Sequence, residues 1–209
     1  MNDKEYLVTE ISNVNSKKKF IRLNEESASF QLYNTELIQY QISEGGYISE
    51  ETYSVIRDKL IKRARERSLH IVARQDITES MLRGKLSDGG YNSDITDITI
   101  RFMKEHGFVN DERYAVNYVY CKADTKSRRQ IEAYLYSKGI SAEIAAKACD
   151  EYYSSNEDAE SILIKKLIEK KKVDVTSMTY EERSKLMAYL VRKGFGYDSV
   201  NRVIDDMKC

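Results

Sequence analysis

The sequence predicts a mainly α-helical chain, built as tandem three-helix repeats that stack behind a small N-terminal antiparallel β-module, and three observations carry that prediction. One signature occurs three times, in LRGKLSDGGYNSDI from Leu82, IEAYLYSKGISAEI from Ile131 and LMAYLVRKGFGYDSV from Leu186. The first 34 residues follow a different pattern, short runs rich in aromatic and β-branched residues. The composition, 41% hydrophobic and 33% charged with a mean hydropathy of -0.60, suits exposed helix faces and leaves little for strands buried on both sides.

Aligned, the three copies share an apolar residue (Leu82, Ile131, Leu186), a second four later (Leu86, Leu135, Leu190), a glycine four beyond that (Gly90, Gly139, Gly194) and a hydrophobic residue next (Tyr91, Ile140, Phe195). Two apolar positions four apart lie on one helix face. A glycine then ends the helix in the left-handed conformation, and the following apolar side chain folds back onto the last turn. The glycines are 49 and 55 residues apart, a period that holds three helices of about 12 residues with turns of about four.

In chain order, YLVTEISNV, KKFIRLN and SASFQLY predict three strands separated by polar breaks at 13–17 and 24–27. Residues 35–41 predict a short helix and Gly45-Gly46 a turn. From Ser49 the period becomes helical, with Ser49 as N-cap, Glu50 and Glu51 on the positive end of the dipole, and Ile56, Leu60, Ala64 and Ile71 along one face. Helices are expected at 49–74, 77–88 and 93–106; 110–122, 126–138 and 141–153; and 156–171, 180–193 and 198–208. Further caps are expected from a box beginning at Asp76, from the box Thr179 to Glu182, and at Asn110, Ser141 and Ser155. The division is then 1–48 for the β-module and 49–109, 110–154 and 155–209 for the repeats.

Several function classes are disfavoured. Cys121, Cys149 and Cys209 are scattered without a C-x-x-C pair, and His70 and His106 are the only histidines, so neither a metal site nor a cofactor is expected. The sequence holds no phosphate-binding G-x-x-x-x-G-K-S/T loop, H-E-x-x-H or G-x-S-x-G, so no catalytic residue is assigned and the chain is not expected to be an enzyme. No window reaches the roughly 20 apolar residues of a membrane span, and the first residues lack the order of a signal peptide, so the expected place is the cytoplasm. The net charge is zero. Its regional sums, -3 over 1–50, +2 over 51–110 and +1 over 111–209, point to a protein partner ahead of a role neutralising many phosphates alone.

Positive charge is nevertheless clustered. Residues 57–74, Arg74 included, carry a local net of +5, and Lys59, Arg63 and Arg67 share a helical stripe. Lys126, Arg128, Arg129 and Lys138 flank the second-repeat helix, and Arg183, Lys185, Arg192 and Lys193 take comparable places in the third. Recurrence on equivalent helices predicts a common basic edge for a partner. Asp111 and Glu112 suit the first turn of a helix, a structural role. Tyr134 and Tyr189 precede the matched leucines and are expected to pack between helices rather than stack on bases.

Three segments, GFVNDERYAVNYV at 107–119, RRQIEAYLYSKGIS at 128–141 and RKGFGYDSVNRVI at 192–204, occur in order inside this repeat, and together they resemble the bacterial RecX family, regulators of the RecA recombinase. The likeness spans about residues 50–207, and residues 1–48 are similar to the β-rich extension of longer members. It implies an elongated, curved array that lodges in the groove of the RecA filament on single-stranded DNA and lowers ATP hydrolysis and strand exchange, acting by binding, as a monomer, with DNA contacted weakly. The chain departs from the family pattern in lacking proline and in the acidic first-repeat tip SDGGYNSD. A stand-alone helical DNA-binding protein and an inert scaffold are the competing readings, separated by salt dependence and by pull-down.

Overall fold

The computed structural model describes residues 4–208 and divides into two compact units, Met1–Asn110 and Asp111–Cys209. The first opens with four antiparallel strands, β1 (Glu5–Asn13), β2 (Lys18–Leu23), β3 (Phe30–Tyr33) and β4 (Tyr47–Ser49), in the order β3-β2-β1-β4. The fourth strand was not expected. It has only three residues, directly after the Gly45-Gly46 turn, and it pairs Glu5 to Leu7 with Tyr47 to Ser49 at the free edge of β1. Alternation sets the faces: Tyr6 and Val8 on β1 and Ile21 and Leu23 on β2 are buried while Arg22 between them is exposed. Asn15 closes the β1–β2 hairpin by accepting the backbone N–H groups of Lys17 and Lys18. The helix α1 (Asn34–Gln39) follows β3.

Helices α2 (Glu50–Val72), α3 (Glu79–Ser87) and α4 (Ser93–Glu105) complete this unit. They share one core with the sheet: Tyr6, Val8, Ile21, Phe30, Leu32 and Ile48 meet Tyr53, Ile56, Leu60 and Ala64 of α2 and Leu82, Leu86, Ile95, Ile100 and Met103 of α3 and α4. Tyr6 stacks on Tyr53 at 4.3 Å between ring centroids. Each such large side chain, fully buried, stabilises the fold by roughly 1.5–3 kcal/mol. The β-module and the first repeat are therefore joined by their apolar faces.

The second unit holds α5 (Asp111–Lys122), α6 (Arg128–Ser137) and α7 (Ala142–Ser155), then α8 (Ala159–Lys170), α9 (Tyr180–Arg192) and α10 (Tyr197–Asp206). Each triplet has its own core. The first is lined by small residues, Ala115, Ala123, Ala145, Ala148 and Cys149 around Ile131 and Leu135. The second is lined by large ones, including Ile164, Ile168, Leu186, Leu190, Phe195 and Val203. Small side chains let helices approach closely, whereas branched ones fill a wider gap.

The repeated signature forms the expected helix end in all three places. Gly90, Gly139 and Gly194 have φ of 81°, 80° and 95°. The N–H groups of Tyr91, Ile140 and Phe195 reach back to the carbonyls of Leu86, Leu135 and Leu190 at 3.2, 3.1 and 3.2 Å, the six-to-one bond of a Schellman motif. Ser49, Ser141 and Thr179 cap their helices as expected. Two expected caps are corrected. The cap of α3 is Thr78, whose hydroxyl accepts Met81 N–H, rather than Asp76 two residues earlier. Ser155 is the last residue of α7, and α8 starts after Asp158 without a side-chain cap. Ser127 forms a full capping box with Gln130 that the sequence reading passed over.

Candidate partner-binding surface

Part of the predicted basic edge is held by the protein's own carboxylates. Glu36 on α1 is 5% exposed and accepts Lys59 Nζ at 2.9 Å, Arg63 Nη2 at 2.6 Å and the Tyr33 N–H at 2.9 Å. Burial pushes its carboxyl up, but the hydrogen bonds from Arg63, Tyr33 and Lys59 outweigh that and hold it below its ordinary value. Arg63 also lies over the Tyr33 ring and Lys59 over Tyr40. Arg57 forks onto Asp94 at 2.6 and 3.0 Å. In the second unit Arg128 bridges Glu132 at 2.9 Å and Asp150 at 2.8 Å, and Arg183 reaches Asn201 at 3.0 Å and Asp205 at 3.1 Å. These arginines tie helix to helix.

A second group lies against tyrosine. Lys126 and Lys138 place their ammonium groups 5.8 and 5.1 Å from the Tyr134 ring, which stacks on Tyr118 at 4.1 Å. Lys171 and Lys193 do the same at Tyr189, at 4.2 and 5.9 Å. Tyr134 and Tyr189 occupy the same repeat position, so the lysine-tyrosine-lysine arrangement is written twice. Tyr118 and Lys171 are the partners that sequence reasoning missed. Nothing in the local sequence pattern of Lys171 points to Tyr189.

The remaining cations are unpinned. Among the described residues Arg67, Arg74, Arg129 and Arg192 are exposed and make no ion pair. The stem of Arg129 runs beside Gly194, close to where the third repeat's helix end meets α6. That meeting is specific: Ser127 Oγ donates to the Lys193 carbonyl at 2.7 Å while accepting the Gln130 N–H. Lys185 lines a loop cavity with Lys171, Lys172, Glu182 and Asp174, whose carboxyl is held down to about 2 by the Thr176 and Ser177 hydroxyls and the Thr176 N–H. Arg67 and Arg74 line a groove with His70, Ile71, Gln75 and Lys85. Neither His70 nor Lys85 was singled out from the sequence, although Lys85 stands at the repeat position of Tyr134 and Tyr189.

Cys149 is buried, which pushes its thiol up to about 11, and Cys121 is exposed. Among the described residues no group of three His, Cys, Asp or Glu side chains is placed to hold a metal ion, and no helix is long and apolar enough to cross a membrane.

Residues 110–148 match the family model described as the second three-helix domain of RecX, and residues 160–204 match the third. A protein named Regulatory protein RecX from Clostridium botulinum strain Alaska E43 is 30% identical over 152 residues, covering 72% of this chain and 70% of the relative. The chain belongs to the RecX family. Another RecX, from Clostridium acetobutylicum, is 27% identical over 202 residues, 91% of this chain and 92% of the relative. Of solved RecX structures, one superposes over 96% of this chain and 99% of its own with a TM-score of 0.65 at 20% identity. RecX from Lactobacillus salivarius does so over 72% and 97% with a TM-score of 0.61 at 24% identity. The mostly helical RecX fold with three-helix repeats is thus present here, in a family of regulatory proteins.

Proposed function

We propose that this protein regulates the RecA recombinase, binding the RecA filament on single-stranded DNA in the cytoplasm and lowering its ATPase and strand-exchange activity without catalysing a reaction itself. Membership of a family named for regulation, across both units of the fold, is the observation that carries this reading. The surface that fits it best is the second unit's edge around the repeat junction, where Arg129 and Arg192 are exposed and unpaired and Lys126, Lys138 and Lys193 lie beside Tyr134 and Tyr189. Exposed guanidinium groups and amphipathic tyrosines are the residue types enriched where proteins dock. Arg128 and Arg183 serve the fold instead, since each is already engaged by a carboxylate.

The test is RecA's single-stranded-DNA-dependent ATPase with this protein added below stoichiometry. Slowed hydrolysis is expected, and the double variant Arg129→Glu with Arg192→Glu should relieve it with helical content unchanged. Unaltered hydrolysis at micromolar excess of the wild-type protein would remove the proposal.

A further inference from the structure

A polar cavity of about 400 Å³ opens where the β-module meets the first turns of α2 and α4. The buried Tyr6 and Tyr53 line it, and Glu25, Glu50 and Asp94 reach it from three different parts of the first unit. Two of these carboxylates already have a cation: Lys4 reaches Glu25 at 2.7 Å, and Arg57 forks onto both oxygens of Asp94. Among the described residues Glu50 has none, and it accepts the Tyr6 hydroxyl instead. One negative charge is left over.

Carboxylates in a first turn favour the helix dipole, which accounts for Glu50 and Asp94 without any ligand. Tyr53 is not accounted for in that way. It is 9% exposed and packs against the rings of Tyr6 and Phe30, yet among the described residues its hydroxyl makes no hydrogen bond. That hydroxyl faces the cavity, where burial first and then the neighbouring Tyr6 and Asp94 push it up to about 12, so it stays neutral and free to accept or donate. Buried polar atoms are seldom left unpaired. One that stands in a cavity beside an uncompensated carboxylate points to a guest that supplies the missing partner.

We propose that this cavity binds the primary ammonium group of an organic cation, held by the Glu50 carboxylate and the Tyr53 hydroxyl, with Ser54 or Ser93 as a third acceptor. The lining selects among cations. A guanidinium docks best on a carboxylate with both oxygens free, and here Arg57 holds both oxygens of Asp94, Lys4 holds Glu25 and the Tyr6 hydroxyl holds Glu50. A quaternary ammonium needs open aromatic faces, but the Tyr6 ring has Tyr53 stacked on it and the Lys4 ammonium 4.7 Å from its centroid. A metal ion needs converging ligands, and among the described residues no three His, Cys, Asp or Glu side chains converge. An ammonium is a compact charge with three rotatable donors, so separate acceptors suffice. The cavity has the volume of roughly a dozen waters, which admits the alkyl chain behind the charge. That chain belongs either to a free polyamine or to a lysine of another protein. The site uses none of the cations assigned to RecA and stands apart from the regulatory reading.

The experiment is isothermal titration calorimetry of the full chain at about 150 mM salt, where charges more than roughly 8 Å apart are largely screened. The probes are spermidine, Nα-acetyl-lysine methylamide, methylguanidine and tetramethylammonium. At least one of the first two should bind with a Kd of about 1 mM or tighter, and the last two at least about 10-fold more weakly. Whichever of spermidine and the lysine derivative binds more tightly names the source of the ammonium, and either order supports the site. Glu50→Gln should weaken binding about 10-fold and Tyr53→Phe about 5-fold, whereas Glu51→Gln, on the same helical turn but outside the lining, should change it by less than about 2-fold. Tyr53→Phe deletes no hydrogen bond of the protein, so its urea-unfolding midpoint without ligand should match that of the wild type. Should Glu50→Gln lose helical content, Tyr53→Phe carries the test. Equal losses at Glu50 and Glu51, unchanged binding by Tyr53→Phe, methylguanidine or tetramethylammonium binding as tightly as the ammonium probes, or no saturable heat from either ammonium probe at about 10 mM would each overturn the proposal. RecA is absent throughout, so failure here leaves the recombinase reading intact, and failure of the ATPase test leaves this one intact.

Discussion

Gly90 and Gly194 end equivalent helices with the same left-handed turn, yet they abut different things. A methyl group at Gly90 would run into the amide end of the Gln31 side chain on β3, and one at Gly194 would meet Ser127 Oγ at 2.6 Å and the Arg129 stem at 3.2 Å. The Gln31 amide lies at the end of a flexible side chain. Ser127 is fully buried, caps α6 and also holds the carbonyl before Gly194, so it has nowhere to go. The same glycine signature thus makes a yielding contact on the sheet and an unyielding one between the second and third repeats. A helix end written for conformational reasons has become an attachment point, and how firm it is depends on its neighbour.

Alanine at the positive-φ glycines breaks this comparison most directly. The left-handed conformation alone costs an alanine about 1–2 kcal/mol. Gly45→Ala should show only that, since nothing lies within 4 Å of the added carbon at φ +76. Gly90→Ala should cost slightly more, as Gln31 swings aside. Gly194→Ala should cost about 2–4 kcal/mol, because it adds displacement of the Ser127 hydrogen bond. Urea unfolding followed by circular dichroism gives the order, and equal costs at the three sites would show that the neighbour is irrelevant.

Ser127 itself is the sharper probe. Its hydroxyl must accept one hydrogen bond and donate another, so Ser127→Ala removes the cap and leaves the Lys193 carbonyl unpaired, for about 1–3 kcal/mol. Ser127→Asp restores an acceptor for the Gln130 N–H but places negative charge against that carbonyl. If the junction matters, the aspartate variant should be no more stable than the alanine one in the same unfolding experiment. If only the cap matters, aspartate should recover most of the loss.

Which parts of this were legible in the sequence follows from how local each signal is. Among the described residues the nine long helices fall within three residues of their expected bounds, because amphipathic period, N-caps and glycines are written in neighbouring residues. The sign of φ at Gly90, Gly139 and Gly194 was legible for the same reason. The strand Tyr47–Ser49 was not, since three residues carry no period and their pairing with β1 spans about 40 positions. Nor was the sorting of the basic residues. Lys59 and Arg67 look alike on a helical projection of α2, and only the fold brings Glu36 to one and Lys85 to the other. The Ser127 contact likewise joins positions 66 apart.

Glu36 gives the first unit an ionic counterpart to that junction, and the smallest of the three effects. Glu36→Gln preserves the shape and leaves an acceptor for the Tyr33 N–H, so it isolates the charge that holds Lys59 and Arg63. Breaking a fully buried pair costs about 3–5 kcal/mol, but the two cations here keep 38% and 23% of their side-chain surface exposed, and solvent screening brings the expected loss to about 1–2 kcal/mol at neutral pH. The pH dependence fixes the sign. The carboxyl lies lower in the folded chain than in the unfolded one, so its contribution is complete above the ordinary carboxylate range of about 4.3 and is lost as pH falls through the lowered folded value. Wild type and variant should differ at pH 7 and converge in acid, whereas a gap that persists to pH 2 would mean that Glu36 acts through packing rather than through its charge.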